Sequence, residues 1–208
     1  MKTETNFPEV IEKFDKILER GLCNGIGSPD GQMCIEAAIS QAMGLPFGDD
    51  PECVAPAVRA YKIRLNDAYG WASPQSRAIA LRNIGIAQIG SRGTVDEVEF
   101  VKRLAEKTIR VLIPKLFREI FKDDSPTSVK CREAADRCEA EGGPARYAAA
   151  DADADAAAAA DAARYAAAAA ADDAAGEKYL VLSAELALEV LRELKSPGCD
   201  WIDFQKEK

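Results

Sequence analysis

The sequence predicts an all-α protein, a multi-helix bundle in which one long alanine-rich helix packs against the C-terminal helix. Apolar residues recur at helical spacing along most of the chain, and no segment alternates apolar and polar residues as a strand does. Capping residues and glycines divide the chain at regular intervals. Alanine, the strongest helix former, supplies 21 of the 31 residues from Ala145 to Ala175.

The helix boundaries follow from local start and stop signals. A Ser or Asp directly before a Pro suits a helix start, because the side chain accepts free backbone N–H groups and proline needs no acceptor there. Such pairs occur at Ser28-Pro29, Asp50-Pro51 and Ser73-Pro74, and the expected stops are Gly44, Gly70 and Gly90. The predicted helices span residues 7–20, 29–43, 51–68, 74–89, 94–122, 127–140, 145–175 and 177–195.

The predicted helix at 29–43 is apolar on almost every side, which places it in the middle of the bundle. Its polar strip consists of Glu36 and Ser40, one turn apart. A buried glutamate needs a partner, and the polar side of the helix at 51–68 offers several.

Pro114 interrupts the long helix predicted at 94–122, and we expect a kink there. We expect a helical core domain over residues 1–140. Residues 141–208 hold the alanine-rich helix and the C-terminal helix, which packs on it or forms a dimer contact.

The alanine tract carries its polar residues on one side. Tyr147 and Tyr165 are five whole turns apart, aspartates flank their line, and more than a third of the circumference is only alanine. An alanine face permits close helix approach. We expect it to pack against the helix at 177–195 or against a second copy of the chain, and a solvated spacer helix is the alternative.

Composition excludes several classes of function. The net charge of −8 and the pI near 4.8 disfavour nucleic-acid binding. Histidine, the usual general base and commonest metal ligand, is absent from the sequence. We expect no cofactor and no metal, because the cysteines lack metal-ligand spacing and Asp50 and Glu52 suit a helix start. With no signal peptide and no membrane span, the chain is expected in the cytoplasm, with reduced, mostly buried cysteines.

Two neighbouring regions are candidates for ligand binding. The Gly-rich loop 21–34 opens onto a predicted helix start, where backbone N–H groups can hold an anion, although a simple turn explains its glycines as well. The segment 59–92 is locally basic and has aromatic residues that can stack on a base, although a solvated charged face is the simpler explanation. The candidate ligand-binding residues are Asn24, Ser28, Asp30, Glu36, Arg59, Tyr61, Lys62, Arg64, Asn66, Asp67, Trp71 and Arg77.

The segment "GSPDGQMCIEAAISQAMGLPFGDDPECVAPAVRAYKIRLND" (27–67), the alanine tract and the stretch from Leu194 to Cys199 together are similar to a family of helical proteins found in bacteriophage genomes and some bacteria. In the first segment, the matching residues are Asp30, Met33, Cys34, Glu36, Ala37, Gly44, Pro46, Asp49, Pro51, Cys53, Val54, Asn66 and Asp67. The resemblance implies a phage or prophage product that acts in a bacterial cytoplasm, and it implies no particular activity.

These observations lead to three hypotheses about function. The first is a non-enzymatic phage accessory protein that sequesters a small anionic host signal of the nucleotide type. The second is an acidic module that inhibits a basic host protein through the Asp/Tyr side of the alanine tract. The third is a hydrolase in which Glu36 and Asp67 meet across helices and act as paired carboxylates.

Overall fold

The structure is a computed structural model that describes residues 7–141 and 173–204. The predicted all-α class is confirmed, because the described residues form helices and contain no β-strand beyond isolated bridges at Met33. The helices are α1 (Phe7–Leu18), α2 (Ile35–Ala42), α3 (Pro56–Asn66), α4 (Pro74–Ala87), α5 (Glu97–Lys107), the π-helical turn π1 (Thr108–Leu112), α6 (Ile113–Ile120), α7 (Pro126–Glu141), α8 (Asp173–Glu193) and α9 (Gly198–Phe204).

The alanine-rich helix predicted at 145–175 lies almost entirely outside the described residues, together with its alanine face and its Asp/Tyr side. Helix α8 begins at Asp173 and continues through Gly176, so the predicted break between residues 175 and 177 is wrong. Among the described helices, none is both long and apolar enough to cross a membrane.

One of the three predicted Ser/Asp-Pro caps is confirmed. The Ser73 hydroxyl accepts the N–H of Ser76, whose hydroxyl accepts the N–H of Ser73, and Pro74 opens α4. Ser28-Pro29 instead lies in the loop before α2, and α2 begins only at Ile35, where the Cys34 sulfur accepts the N–H of Ala37 at 3.4 Å.

The helix start predicted at Asp50-Pro51 is also wrong, because α3 begins at Pro56. Its first amides are bonded to side chains that are distant in the sequence: Ser91 Oγ accepts from Ala55 N at 2.9 Å, and Glu97 Oε2 accepts from Ala57 N at 2.7 Å. A cap supplied by another part of the chain satisfies the same free N–H groups as a local cap, but it leaves no local signal.

Helix α4 lies at the centre of the bundle, in contact with α1, α2, α8 and α9. Gly85, in the middle of α4, permits this packing, since a Cβ atom there would come within 2.9 Å of Phe14 in α1 and 3.0 Å of Ile35 in α2. Helix α8 packs on α4 and α5. Its Ser183 carbonyl accepts the hydroxyl of the buried Tyr61 at 2.7 Å.

The long helix predicted at 94–122 is interrupted by π1, directly before Pro114. Proline has no N–H to continue the α-helical ladder, and a π turn is one way to accommodate the missing hydrogen bond.

After π1, α6 and α7 form a hairpin that is stabilised by hydrogen bonds from two arginines. Arg110 donates to the carbonyls of the last three residues of α7, and Arg132 donates to the carbonyls of Phe121 and Asp123 after α6.

We expect Gly85→Ala to lower the free energy of unfolding by about 1–3 kcal/mol, although alanine favours helix over glycine, because the new methyl group overpacks the contact with α1 and α2. Urea titration monitored by circular dichroism measures this change in the free energy of unfolding. Gly48→Ala is the control, with a nearest contact of 3.9 Å and an expected change within about 0.5 kcal/mol. Equal effects of the two changes would contradict the close approach.

Candidate functional site

The most unusual group of side chains is a charged cluster inside the core. Glu36 on α2 and Lys62 on α3 are both completely buried, with 3.0 Å between Oε1 and Nζ. Gln88, at the end of α4, donates from Nε2 to Glu36 Oε2 at 3.0 Å. The prediction that α3 supplies the partner of a buried Glu36 is therefore confirmed.

Burial raises the pKa of Glu36 and lowers the pKa of Lys62, while their mutual attraction opposes both shifts. Apart from the ion pair, Lys62 Nζ, Glu36 Oε1 and Gln88 Oε1 have no hydrogen-bond partner among the described residues. Each charge therefore depends on the other to offset its desolvation, and neither is available to a solvent-exposed ligand.

A small cavity lies against this cluster. Its volume is about 20 Å³, and its walls include Cys34, Glu36, Asp49, Asn66 and Asp67. It brings together Glu36 and Asp67, the two carboxylates of the hydrolase hypothesis, but a space of this size suits one water molecule. Burial also raises the pKa of the neighbouring Cys34 to about 11, so this thiol is protonated at neutral pH.

Internal bonds hold the Gly-rich loop in place. Asp67 Oδ1 accepts the N–H of Gly25 at 3.0 Å. This backbone N–H is therefore already bonded to a carboxylate of the chain and is not available to an anionic ligand. Asn66 donates to the Cys23 carbonyl at 2.8 Å and accepts from Ile35 N at 3.3 Å. The loop residues Asn24, Ser28 and Asp30 are exposed.

Most of the cations in the predicted basic segment 59–92 are engaged by groups of the chain itself. Arg59 binds the carbonyl and carboxylate of Asp49 and the carboxylate of Asp50; Arg92 also reaches Asp50, and Arg82 binds Asp15. Trp71 donates its indole N–H to a carbonyl of α3. These contacts join neighbouring segments of the fold.

The twelve candidate residues thus lie in different environments. Glu36, Asn66 and Asp67 share the small cavity, while Tyr61 and Lys62 are sealed in the core. Arg77 is half-buried, donates to the Leu22 carbonyl at 3.3 Å, and has a pKa lowered by burial. The exposed members are Asn24, Ser28, Asp30 and Arg64.

A larger hollow lies elsewhere, between α6 and α8. We call it the basic hollow; its volume is about 600 Å³, and it is lined by Lys115, Arg118, Glu119, Lys122, Lys178, Tyr179 and Leu182. A second hollow of about 460 Å³ adjoins it at Lys178 and Leu182. We call it the apolar hollow, and its further lining residues are Ser76, Ile79, Ala80, Glu177, Val181 and Glu185.

The cations of the basic hollow differ in their pairing. Lys178 binds Glu119, and Arg118 binds Glu139 and, at 2.7 Å, Asp136. Lys115 and Lys122 are exposed and have no ion-pair partner in the described ranges. Burial and the nearby Glu119 raise the pKa of Tyr179, so its hydroxyl is protonated and donates to that carboxylate. An anion at this site would therefore meet two ammonium groups that are in no direct ion pair, of which Lys122 also interacts with the Glu119 charge.

The basic hollow was not predicted from the sequence, although part of its signal is local. Lys115 and Arg118 are three residues apart on one face of α6, and Lys122 follows two residues after the helix ends. The contribution of α8 has no local signal, because Lys178 and Tyr179 reach the hollow only through the tertiary contact with Glu119.

No protein-family model, no curated protein and no solved structure matches this chain. The similarity to phage proteins therefore stays a prediction. Among the described residues, no cluster of three or more His, Cys, Asp or Glu side chains has the arrangement of a metal site. None of the six cysteines, all within the described residues, forms a disulfide; Cys34 and Cys199 are buried, and the others are half-buried.

We expect Lys62→Met to lower the free energy of unfolding by about 3–5 kcal/mol at neutral pH, because it leaves the buried Glu36 carboxylate unpaired. The loss should be larger at pH 8 than at pH 5. Burial raises the pKa of Glu36, so the folded protein binds this proton more tightly than the unfolded chain does. The contribution of Glu36 to stability therefore falls as the pH rises from its pKa in the unfolded chain through its pKa in the folded protein.

Denaturant titration at both pH values checks this result. Lys13→Met is the matched control, since it removes an exposed pair with Glu9 and should cost less than about 1 kcal/mol. The double change Glu36→Gln with Lys62→Met should recover part of the loss. Equal losses for the Lys62 and Lys13 changes would contradict the structural role.

Glu119 provides a second test, through pH. Hydrogen bonds from Lys178 and Tyr179 lower the pKa of Glu119. Its contribution to stability is therefore present above the unfolded glutamate pKa of about 4.3 and is lost as pH falls through the lower folded value. The difference in unfolding free energy between wild type and Glu119→Gln should shrink as pH falls from 6 to ~2.5.

Thermal or urea unfolding across this pH range measures that difference. Glu185→Gln on α8 is the control, since Glu185 is exposed and has no ion-pair partner in the described part of the chain, and its difference should stay flat. A Glu119 difference that does not change with pH would contradict the proposed contacts.

Proposed function

We propose that this chain is a non-enzymatic binding protein for a small anionic ligand of the nucleotide type, and that the basic hollow is its binding site. The observation that carries the proposal is the pair of exposed lysines, Lys115 and Lys122, at a hollow that also contains Arg118 and Lys178. A volume of about 600 Å³ lies within the roughly 300–1,000 Å³ usual for small-molecule sites.

The two adjoining hollows differ in their lining in the same way as the phosphate part of a nucleotide differs from its base and sugar. Phosphate groups suit the basic hollow, where lysine ammonium groups donate charge-assisted hydrogen bonds. A base or sugar can lie against the half-buried Leu182, or extend past Lys178 towards Ile79 and Val181 in the apolar hollow. An overall acidic chain repels polyanions, which favours a small ligand over a nucleic acid.

Sequestration requires affinity and no catalytic group. This agrees with a sequence that lacks histidine and with a Cys34 thiol that burial keeps protonated. The similarity to phage proteins supports a host signalling nucleotide as the ligand and the bacterial cytoplasm as the place of action. The acidic interaction module depends on the alanine tract, which lies outside the described residues, and stays a prediction.

Isothermal titration of the full chain with ADP-ribose and with a cyclic dinucleotide tests the proposal, and adenosine serves as the ligand without phosphate. We expect binding of at least one phosphate-bearing ligand and none of adenosine. Lys115→Ala and Lys122→Ala should each weaken binding about five- to tenfold, or ~1–1.4 kcal/mol. High salt should weaken it further, because the site is open to solvent.

The matched control is Lys130→Ala, an exposed lysine on α7 outside both hollows, whose affinity should equal that of wild type. Flat heats with every phosphate-bearing ligand would overturn the proposal. An affinity that is the same in wild type, Lys115→Ala and Lys122→Ala would overturn the assignment of the ligand site to the basic hollow.

A further inference from the structure

A further pocket, separate from the small cavity and from both hollows, lies where the start of α1 meets α9. Its volume is about 430 Å³, and its lining residues are Phe7, Pro8, Ile11, Pro197, Asp200 and Trp201. The size is typical of a small-molecule site, and the walls are almost entirely apolar.

The rest of the fold holds these walls in place. Ile11 is buried in the core on one side, and Cys199 and Ile202 anchor α9 on the other. Gly198 packs directly on α4, where a Cβ atom would come within 2.1 Å of the Ile86 carbonyl oxygen. The walls formed by Ile11 and α9 are therefore held in place without a ligand.

The aromatic residues of the pocket present ring surface to solvent. The Phe7 and Trp201 rings lie 3.9 Å apart between centroids, with their planes inclined by 44°, and Phe7 is 45% exposed. The electron-rich faces of aromatic rings attract cations, and tryptophan does so most strongly.

The charge of the pocket has one sign. Asp200 is its single charged lining residue; it is exposed and has no ion-pair partner in the described part of the chain. An anion would be repelled by this carboxylate, and a neutral ligand would gain nothing from it. An organic cation would satisfy both the rings and the carboxylate.

We propose that this pocket binds a small organic cation with an alkylated ammonium group. The ammonium group lies against Trp201 and Phe7 within reach of the Asp200 carboxylate, and its alkyl groups contact Pro8 and Pro197. This site is independent of the basic hollow, since the two share no lining residue and select opposite charges.

Choline is the test ligand, and 3,3-dimethylbutanol is its neutral isostere. In a ¹H–¹⁵N NMR titration of the full chain, the indole signals of the two tryptophans, assigned with Trp71→Phe, report the site directly. We expect choline to shift the Trp201 signal in a saturable manner and to leave the Trp71 signal in place. The isostere should bind about fivefold more weakly or worse.

Asp200→Asn, a change at the surface, should weaken choline binding about threefold to tenfold, and Trp201→Leu should abolish it. The control is Glu12→Gln, an exposed acid on α1 that does not line the pocket. Circular dichroism checks that each variant is folded. Equal binding of choline and its isostere, an unchanged affinity in Asp200→Asn, or a Trp201 signal that does not move would overturn the proposal.

Discussion

The ion pair between Glu36 and Lys62 is the contact on which the arrangement of the N-terminal helices depends. It joins α2 to α3, and Gln88 extends it to α4, the central helix of the bundle. Since both charges are completely buried, loss of either partner leaves the other charge uncompensated in the core. The packing of α2 and α3 is thus fixed by charge as well as by shape. The same arrangement directs Asn66 and Asp67 onto the Gly-rich loop.

Much of the fold could be predicted from the sequence, because its signals are local. Helical periodicity gave the class, and the nearly all-apolar segment around Glu36 correctly indicated a buried carboxylate that needs a partner on the next helix. The start of α3 could not be predicted in the same way. Asp50 has the local pattern of a cap but pairs with Arg59 and Arg92, while Ser91 and Glu97 cap α3 from elsewhere.

The candidate site shows the same division between local and nonlocal information. The basic segment 59–92 is conspicuous in sequence, yet in the structure Arg59 and Arg92 hold together neighbouring segments of the chain and Lys62 is sealed in the core. The cations of the basic hollow come from α6, from the residue Lys122 after it and from α8, and Lys178 and Tyr179 join the two sides by binding Glu119. Charge density along a sequence therefore does not locate a binding site when carboxylates distant in the chain can neutralise it.

We propose that Arg59 and Lys62 of α3 are structural and that Lys115 and Lys122 at the basic hollow bind the ligand. Backbone ¹H–¹⁵N shift mapping of the labelled full chain during titration with ADP-ribose or a cyclic dinucleotide tests it most directly. The account predicts saturable shifts confined to residues 115–122 and 178–182 and their neighbours, with residues 21–30 and 59–67 unmoved. Shifts concentrated in 21–30 and 59–67, with the basic hollow unmoved, would contradict it.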